Sequence, residues 1–108
     1  MSPKATRPSA LKGITIAKHS HCGKIFITVT FTSSNEPSEL FIRFGKAGGC
    51  GSAIGDAVAR LVSYGLRSGM DVEDAIKAVE GIGCHHGQNT CMNMVAEAIA
   101  DAMEEMRA

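Results

Sequence analysis

Four cysteines are the residues of this chain whose type and placement could do chemistry. Cys22, Cys50, Cys84 and Cys91 each adjoin a glycine, a histidine or the start of a predicted helix. Four thiolates brought to one point form a tetrahedral metal site, and a small domain gains stability from such a site. Two disulfides, or four unrelated core residues, are the alternative interpretations.

The composition is typical of one soluble domain. The chain has 108 residues, 44% hydrophobic and 20% charged, enough for a single modest core. We expect a basic, disordered arm over residues 1–10 and a single domain over 11–108. No apolar run is long enough for a membrane span, and the N-terminus lacks the apolar core of a signal peptide. The expected location is therefore cytoplasmic, where thiols stay reduced and bind metals more often than they pair.

The charge balance predicts no nucleic-acid or membrane partner. Eleven Lys and Arg residues match eleven Asp and Glu residues, so the formal net charge is zero. The aromatic residues are expected to be too few and too interior for a base-stacking platform; they are Phe26, Phe31, Phe41, Phe44 and Tyr64.

The elements that must position the cysteines are three strands followed by three helices. Alternation of apolar residues predicts strands over 13–18, 24–31 and 40–44, with a hairpin loop over 32–39. This order predicts an α+β fold in which three helices pack on one face of a three-stranded antiparallel sheet.

The helical periods predict which side chains face the sheet. In the first helix the expected inward stripe is Ile54, Val58, Leu61, Val62 and Leu66, with Gly69 as C-terminal cap. Asp71 is expected to cap the second helix, which buries Val72, Ala75, Ile76 and Val79. Thr90 is expected to cap the third, which buries Val95, Ala98, Ile99, Ala102 and Met106.

Two smaller patterns are expected to serve packing. Ser52, Gly55, Ala59 and Ser63 form a stripe of small residues that permits a close approach to the sheet or to another helix. The methionines of the last helix are expected to fill the core or to form a surface for self-association.

Connectivity predicts that the cysteines converge at one end of the sheet. In a hairpin of the second and third strands, Lys24 lies beside Phe44, so Cys22 and Cys50 flank the same end. The first helix leaves from that end, the second returns, and the following loop carries Cys84 and Cys91 back. Zinc suits such a closed site of four thiolates. A redox pair of Cys84 and Cys91 is the competing chemistry, and the nearby histidines are expected to surround the metal.

A glycine-rich loop leads into the first helix and could bind an anion. Free N–H groups and the helix dipole favour negative charge there, and Lys46 would add a positive one. Wrapping of the backbone around the metal is the alternative role. The candidate ligand-binding residues are Lys46, Gly48, Gly49, Gly51, Ser52, His85 and His86. No catalytic constellation emerges from the sequence.

With these residues in hand, the chain resembles the TSCPD domain. The matching stretches are 22–29 (CGKIFITV), 41–50 (FIRFGKAGGC), 60–63 (RLVS), 66–69 (LRSG), 81–84 (GIGC) and 90–91 (TC). The Cys-Pro-Asp of the family is Cys91-Met92-Asn93 here, and His85-His86-Gly87-Gln88-Asn89 replaces a proline-rich loop. All four cysteines are kept, which fits a metal role better than a role for the Pro-Asp pair.

The resemblance implies a link to ribonucleotide reduction. The family module stands at the C-terminus of vitamin-B12-dependent (class II) reductases and also occurs alone, as it is expected to here. Because the reductase's catalytic barrel is absent, we expect a non-catalytic accessory or binding domain stabilised by Zn²⁺. Its expected partner is a nucleotide, a nucleotide-derived small molecule, or a protein such as a reductase, with self-association as a further expectation. A thiol redox module that shuttles electrons through Cys84 and Cys91 is the alternative.

Overall fold

The fold is three strands followed by three helices, in the predicted order. The computed structural model describes residues 10–20, 23–45, 50–82 and 91–108, with backbone alone at 20 and 50–52. The strands are β1 (Lys12–Ser20), β2 (Gly23–Phe31) and β3 (Pro37–Phe44). The helices are α1 (Cys50–Arg67), α2 (Val72–Val79) and α3 (Cys91–Arg107). The arm predicted over residues 1–10 lies almost wholly outside the described residues.

The sheet is antiparallel throughout, with β2 between β1 and β3. The predicted loop over 32–39 is shorter than expected, because β3 begins at Pro37. The loop closes through two backbone hydrogen bonds, from Thr32 N–H to the Glu36 carbonyl and from Asn35 N–H to the Thr32 carbonyl. Asn35 has a φ of 62°, a left-handed conformation that asparagine tolerates.

One face of the sheet is covered by the helices and forms the core. In β2 every second residue is at most 1% exposed: Ile25, Ile27, Val29 and Phe31. Leu40 and Ile42 of β3 continue this covered face. Alternation in a strand puts all these side chains on one side, so the predicted one-sided α+β arrangement is confirmed.

The inward face of α1 differs from the prediction. Ile54 is 54% exposed and Leu61 is 70% exposed, so the expected stripe of large residues was wrong at these positions. Val62 is buried and Val58 and Leu66 pack against the core, as predicted. Among the described side chains of α1, the small residues Gly55, Ala59 and Ser63 are buried as well. At Gly55 the helix lies so close to the sheet that a Cβ atom would be 2.8 Å from Cε2 of Phe44, so this position has no room for a side chain. Gly55, Ala59 and Ser63 of the small-residue stripe therefore pack on the sheet, as expected.

The inward faces of α2 and α3 follow the prediction. Val72, Ala75 and Val79 of α2 are buried, and Ile76 packs against the core. In α3 the buried residues are Met92, Val95, Ala96, Ala98, Ile99, Ala102 and Met103, with Met94 and Met106 packed at the edge. The methionines of α3 are thus core residues.

The helix ends are capped by backbone hydrogen bonds more than by side chains. Gly69 has a φ of 102° after the end of α1, and Met70 N–H donates to the Gly65 carbonyl, which confirms the predicted glycine cap. Asp71 precedes α2, but its side chain makes no capping hydrogen bond; its carbonyl accepts from Asp74 N–H instead. None of the helices among the described residues could cross a membrane.

Candidate functional site

The start of β2 lies beside the end of β3 at one end of the sheet. Ile25 near the start of β2 pairs with Phe44 at the end of β3, and Gly45 N–H donates to the Lys24 carbonyl at 2.8 Å. Cys22 immediately precedes β2. The predicted adjacency of the start of β2 and the end of β3 is therefore confirmed.

Helix α1 starts at this same end and runs antiparallel to β3. Its first half packs on the end of β3, where Gly55 lies over Phe44. Its second half packs near the start of the strand, where Ser63 contacts Leu40. Cys50, the first residue of α1, therefore belongs to the end of the sheet where β2 begins.

The start of α3 is held beside the end of α2. Gly81 N–H, two residues past α2, donates to Oδ1 of Asn93 in the first turn of α3 at 2.9 Å. Gly81 has a φ of 72°, which glycine adopts without a steric penalty. Cys91 opens α3, is partly buried and packs against the hydrophobic core.

The four-cysteine metal site stays a prediction. Cys22 and Cys84 lie outside the described residues, and only the backbone of Cys50 is described. Within residues 10–20, 23–45, 50–82 and 91–108 there is no group of three or more His, Cys, Asp and Glu side chains that could hold a metal. The described residues show that β2 and α1 both start at one end of the sheet.

The predicted ligand-binding residues also fall largely outside the described part of the chain. Lys46, Gly48, Gly49, His85 and His86 lie outside it. Gly51 and Ser52 form part of the first turn of α1, where the backbone alone is described. That turn carries no acidic residue, which suits the electrostatics of an anion site at a helix N-terminus.

The sheet face turned away from the helices is open and carries aromatic and cationic side chains. Phe41 is 49% exposed, and Arg43 and Lys24 are exposed. Arg43 Cζ lies 5.3 Å from the ring centroid of Phe26, and Lys24 Nζ lies 5.4 Å from the same centroid. The expectation that the aromatic residues would be interior was therefore wrong for Phe41, and also for Tyr64 of α1, which is 48% exposed.

Sequence reasoning missed this open face, although a signal for it was present. Alternation puts Phe26 and Thr28 on the side of β2 opposite Ile25 and Ile27. Three helices that cover one face necessarily leave these side chains open. The strand alternation already separates Phe26 and Thr28 from Ile25 and Ile27, but it does not show which face the helices cover.

A polar cluster closes the edge between β3 and α1. The Ser63 hydroxyl accepts from Leu40 N–H at 2.9 Å and donates to the Ala59 carbonyl at 2.7 Å. Glu39 Oε2 lies 3.6 Å from Nη1 of Arg67, in a pair whose side chains are only 7% and 12% exposed. Thr30 donates to Glu39 Oε1 at 3.4 Å. This cluster attaches α1 to the sheet edge and neutralises the acidic residue there.

The comparison with protein families identifies the class of domain. The chain matches the family model of the TSCPD domain over residues 1–103, so it belongs to the TSCPD domain family. The resemblance inferred from the cysteine and glycine stretches is thereby confirmed. No curated protein and no solved structure matches the chain significantly.

Proposed function

We propose that this TSCPD domain is a non-catalytic accessory module, stabilised by zinc, that binds a nucleotide-like anion or docks on a protein partner such as a reductase. The observation that supports the zinc part is that β2, which follows Cys22 in the sequence, and α1, which begins at Cys50, start at the same end of the sheet. Membership of the family supports the link to ribonucleotide reductases.

Zinc would be held by Cys22, Cys50, Cys84 and Cys91. The chemistry of this donor set fits, because four thiolates satisfy a tetrahedral ion without an open position for catalysis. Such a site ties four separate segments together and contributes its binding free energy to folding. We therefore assign the metal a structural role, in a cytoplasmic protein whose thiols stay reduced.

Metal analysis with thiol titration tests the zinc site. We expect about one zinc per purified chain, no reactive thiols until a chelator is added, and a large fall in melting temperature on chelation. Re-addition of zinc is the control, because it should restore the melting temperature. A metal-free protein in which Cys84 and Cys91 cycle between thiols and a disulfide would contradict the proposal and support the redox module.

The anion would lie at the N-terminus of α1 and the adjoining loops. The residues proposed to contact it are Lys46, Gly48, Gly49, Gly51, Ser52, His85 and His86. Backbone N–H groups of a helix start donate to phosphate oxygens, and the absence of acidic residues in the first turn of α1 supports this placement.

A thermal-shift screen with nucleotides tests the anion site. We expect a nucleotide to raise the melting temperature of the wild-type protein and the Lys46→Ala variant to lose most of that gain. Lys77→Ala, on the surface of α2, is the matched control and should keep it. If no nucleotide stabilises the protein, the nucleotide part of the proposal is wrong and docking on a protein is the function that stands.

We place the proposed self-association surface on the exposed side of α1, and no longer on the methionines of α3 or the small-residue stripe. The methionines of α3 and the small-residue stripe of α1 both pack inside the domain. The exposed apolar residues of α1 are instead Ile54, Leu61 and Tyr64. Size-exclusion chromatography of a Leu61→Lys variant tests whether this stripe joins copies of the chain.

A further inference from the structure

The charges of this neutral chain are strongly separated along the sequence. Residues 1–70 carry nine Lys and Arg against three Asp and Glu, an excess of six positive charges. Residues 71–108 carry two against eight, an excess of six negative charges. The acidic part includes α2 and α3, which pack behind the sheet or on each other. A zero net charge therefore does not mean that the open sheet face is neutral.

The open face contains a shallow depression between two aromatic rings. Phe26 and Phe41 line it, together with Thr15, Thr28 and Arg43, and its volume is about 260 Å³. The Thr15 and Thr28 hydroxyls lie 2.7 Å apart in a hydrogen bond. The depression thus combines apolar ring surface with hydroxyl groups that can donate and accept, the mixture that small-molecule sites use.

Two cationic side chains lie close to the ring of Phe26, which lines this depression. Arg43 and Lys24 both lie within 5.5 Å of the Phe26 centroid, in the range of a cation–π interaction. Both side chains remain exposed to solvent and can still reach an anion. Within the three strands the acidic residue is Glu39, and Arg67 already engages its carboxylate. Arg43 and Lys24 therefore supply positive charge beside the depression.

We propose that the open face of the sheet binds one free mononucleotide, with its base against Phe41 and Phe26 and its phosphate held by Arg43 and Lys24. This surface is separate from the anion site proposed at the N-terminus of α1, because it lies on the face of the sheet that the helices leave open, and the inference therefore goes beyond the proposed function. Aromatic rings stack on any base, whereas guanidinium and ammonium groups recognise phosphate.

The size of the depression favours a free nucleotide over a nucleic-acid strand. Small-molecule sites typically enclose about 300–1,000 Å³, and this one lies just below that range, which suits one base. A strand-binding protein needs a positive groove that follows several phosphates. The two cations here flank a single ring.

Isothermal titration calorimetry of point variants tests the proposal. AMP, GMP, CMP and UMP are the probes, with adenosine and inorganic phosphate as half-ligands. We expect each monophosphate to bind more tightly than either half-ligand. Phe41→Leu should weaken binding about tenfold, the effect of losing one base–aromatic stack, and Arg43→Gln should weaken it about fivefold through loss of one charged hydrogen bond.

Arg107→Gln is the matched control, because it removes one exposed positive charge from the last turn of α3. It should leave the affinity unchanged. All three substitutions lie at exposed positions, so thermal melts should confirm that the variants fold like the wild-type protein.

The outcomes that overturn the proposal are distinguishable. If nucleotides bind and neither Phe41→Leu nor Arg43→Gln weakens them, the sheet face is wrong while the proposed nucleotide function stands. If no nucleotide binds, both fail. If a ten-residue oligothymidylate binds more than tenfold more tightly than UMP, the ligand is a nucleic-acid strand and the commitment to a free nucleotide is overturned.

Discussion

The two faces of the same three strands have opposite characters. On the helix-covered face, Ile25 and Ile27 of β2 have no exposed surface. On the open face, their neighbours Phe26 and Thr28 are only partly buried. The covered face is apolar and closely packed, whereas the open face carries rings, hydroxyls and cations. One face specifies the fold, and the other is the face on which we propose recognition.

The position of α1 explains why the second face of the sheet stays open. Helix α1 lies against β3 through small residues and reaches the edge of the strand with Ser63 and Arg67. It therefore seals one edge of the sheet without covering the open face. The contrast between the two faces predicts distinct effects of substitution.

Neighbouring substitutions on β2 should give the largest contrast. Ile27→Ala removes a fully buried side chain and leaves a cavity, so we expect it to lower the free energy of unfolding by about 2–5 kcal/mol. Thr28→Ala removes one cross-strand hydroxyl pair on the open face and should cost less than about 1 kcal/mol. Urea unfolding measures both values. Equal costs would show that the two faces do not differ as described.

The attachment of α1 to the edge of β3 should depend on the hydroxyl of Ser63. Ser63→Ala leaves Leu40 N–H without its acceptor at a buried position, which should cost about 1–3 kcal/mol. Ser34→Ala, the same change at an exposed position of the loop before β3, is the control and should change stability by less than about 0.5 kcal/mol. If the two variants unfold at the same urea concentration, the contact of Ser63 with β3 contributes nothing.

Two glycines of α1 test how closely the helix approaches the sheet. A methyl group on Gly55 meets the ring of Phe44 at 2.8 Å, whereas one on Gly65 meets the flexible end of Met70 at 2.7 Å. Both Gly→Ala changes gain about 1 kcal/mol of helix propensity. We expect Gly65→Ala to keep that gain and Gly55→Ala to lose it to overpacking, so its net cost should be up to about 2 kcal/mol. A stabilised Gly55→Ala variant would mean that the helix stands further from the sheet.

The smallest effect should come from Lys18, a charged residue of β1 that α3 covers. A hydrogen bond from Lys18 Nζ to Asp101, at 2.8 Å, raises the pKa of the lysine; the charges of Asp101 and Glu97 add to the effect, and burial opposes it. A raised pKa means that the folded state favours the protonated lysine. The stabilisation is therefore fully present below the unfolded pKa and is lost as the pH rises through the folded pKa.

Lys18→Met should cost at most about 1 kcal/mol at pH 7, because Asp101 is partly exposed and water screens the pair. The difference from the wild-type protein should shrink when urea unfolding is repeated above the folded pKa of the lysine. Lys12→Met, at an exposed position of the same strand, is the control. A cost that does not depend on pH would show that the lysine acts through its apolar stem alone.

Much of the fold could be predicted from local patterns. Strand alternation and helical periods placed all six elements, because each pattern reflects which side chains leave water. The ends were less certain, as at β3, where Ser38 and Glu39 are buried in the strand although polar residues suggest a loop. Glu39 is stable there because Arg67 neutralises it, a partner that no local pattern reveals.

The orientation of α1 could not be predicted from hydrophobicity alone. Ile54 and Leu61 have the helical spacing of a core stripe, yet the sheet takes Gly55 and Ala59 instead. Small residues on this face let the helix approach the strand closely, so that a Cβ atom on Gly55 would lie 2.8 Å from the Phe44 ring. Hydrophobic periodicity scores each side chain separately, so it does not predict how closely a helix and a strand approach each other.

The two candidate sites also differ in how much of them the sequence could predict. The meeting of the Cys22 and Cys50 segments followed from strand order and hairpin geometry, and the described backbone bears out that order. The open face required knowing which face the helices cover, which is a property of the assembled fold.

NMR chemical shifts of side chains on both faces of the sheet give the most direct test of whether the open face, and not the covered face, binds the nucleotide. In a ¹³C-labelled sample titrated with AMP, we predict that signals of Phe26, Phe41, Thr15 and Thr28 shift together and saturate at one concentration. Signals of Ile27, Val29 and Ile99, on the covered side, should stay in place. Shifts confined to Ile54 and Leu61 of α1, or to the covered face, would contradict the assignment of recognition to the open face of the sheet.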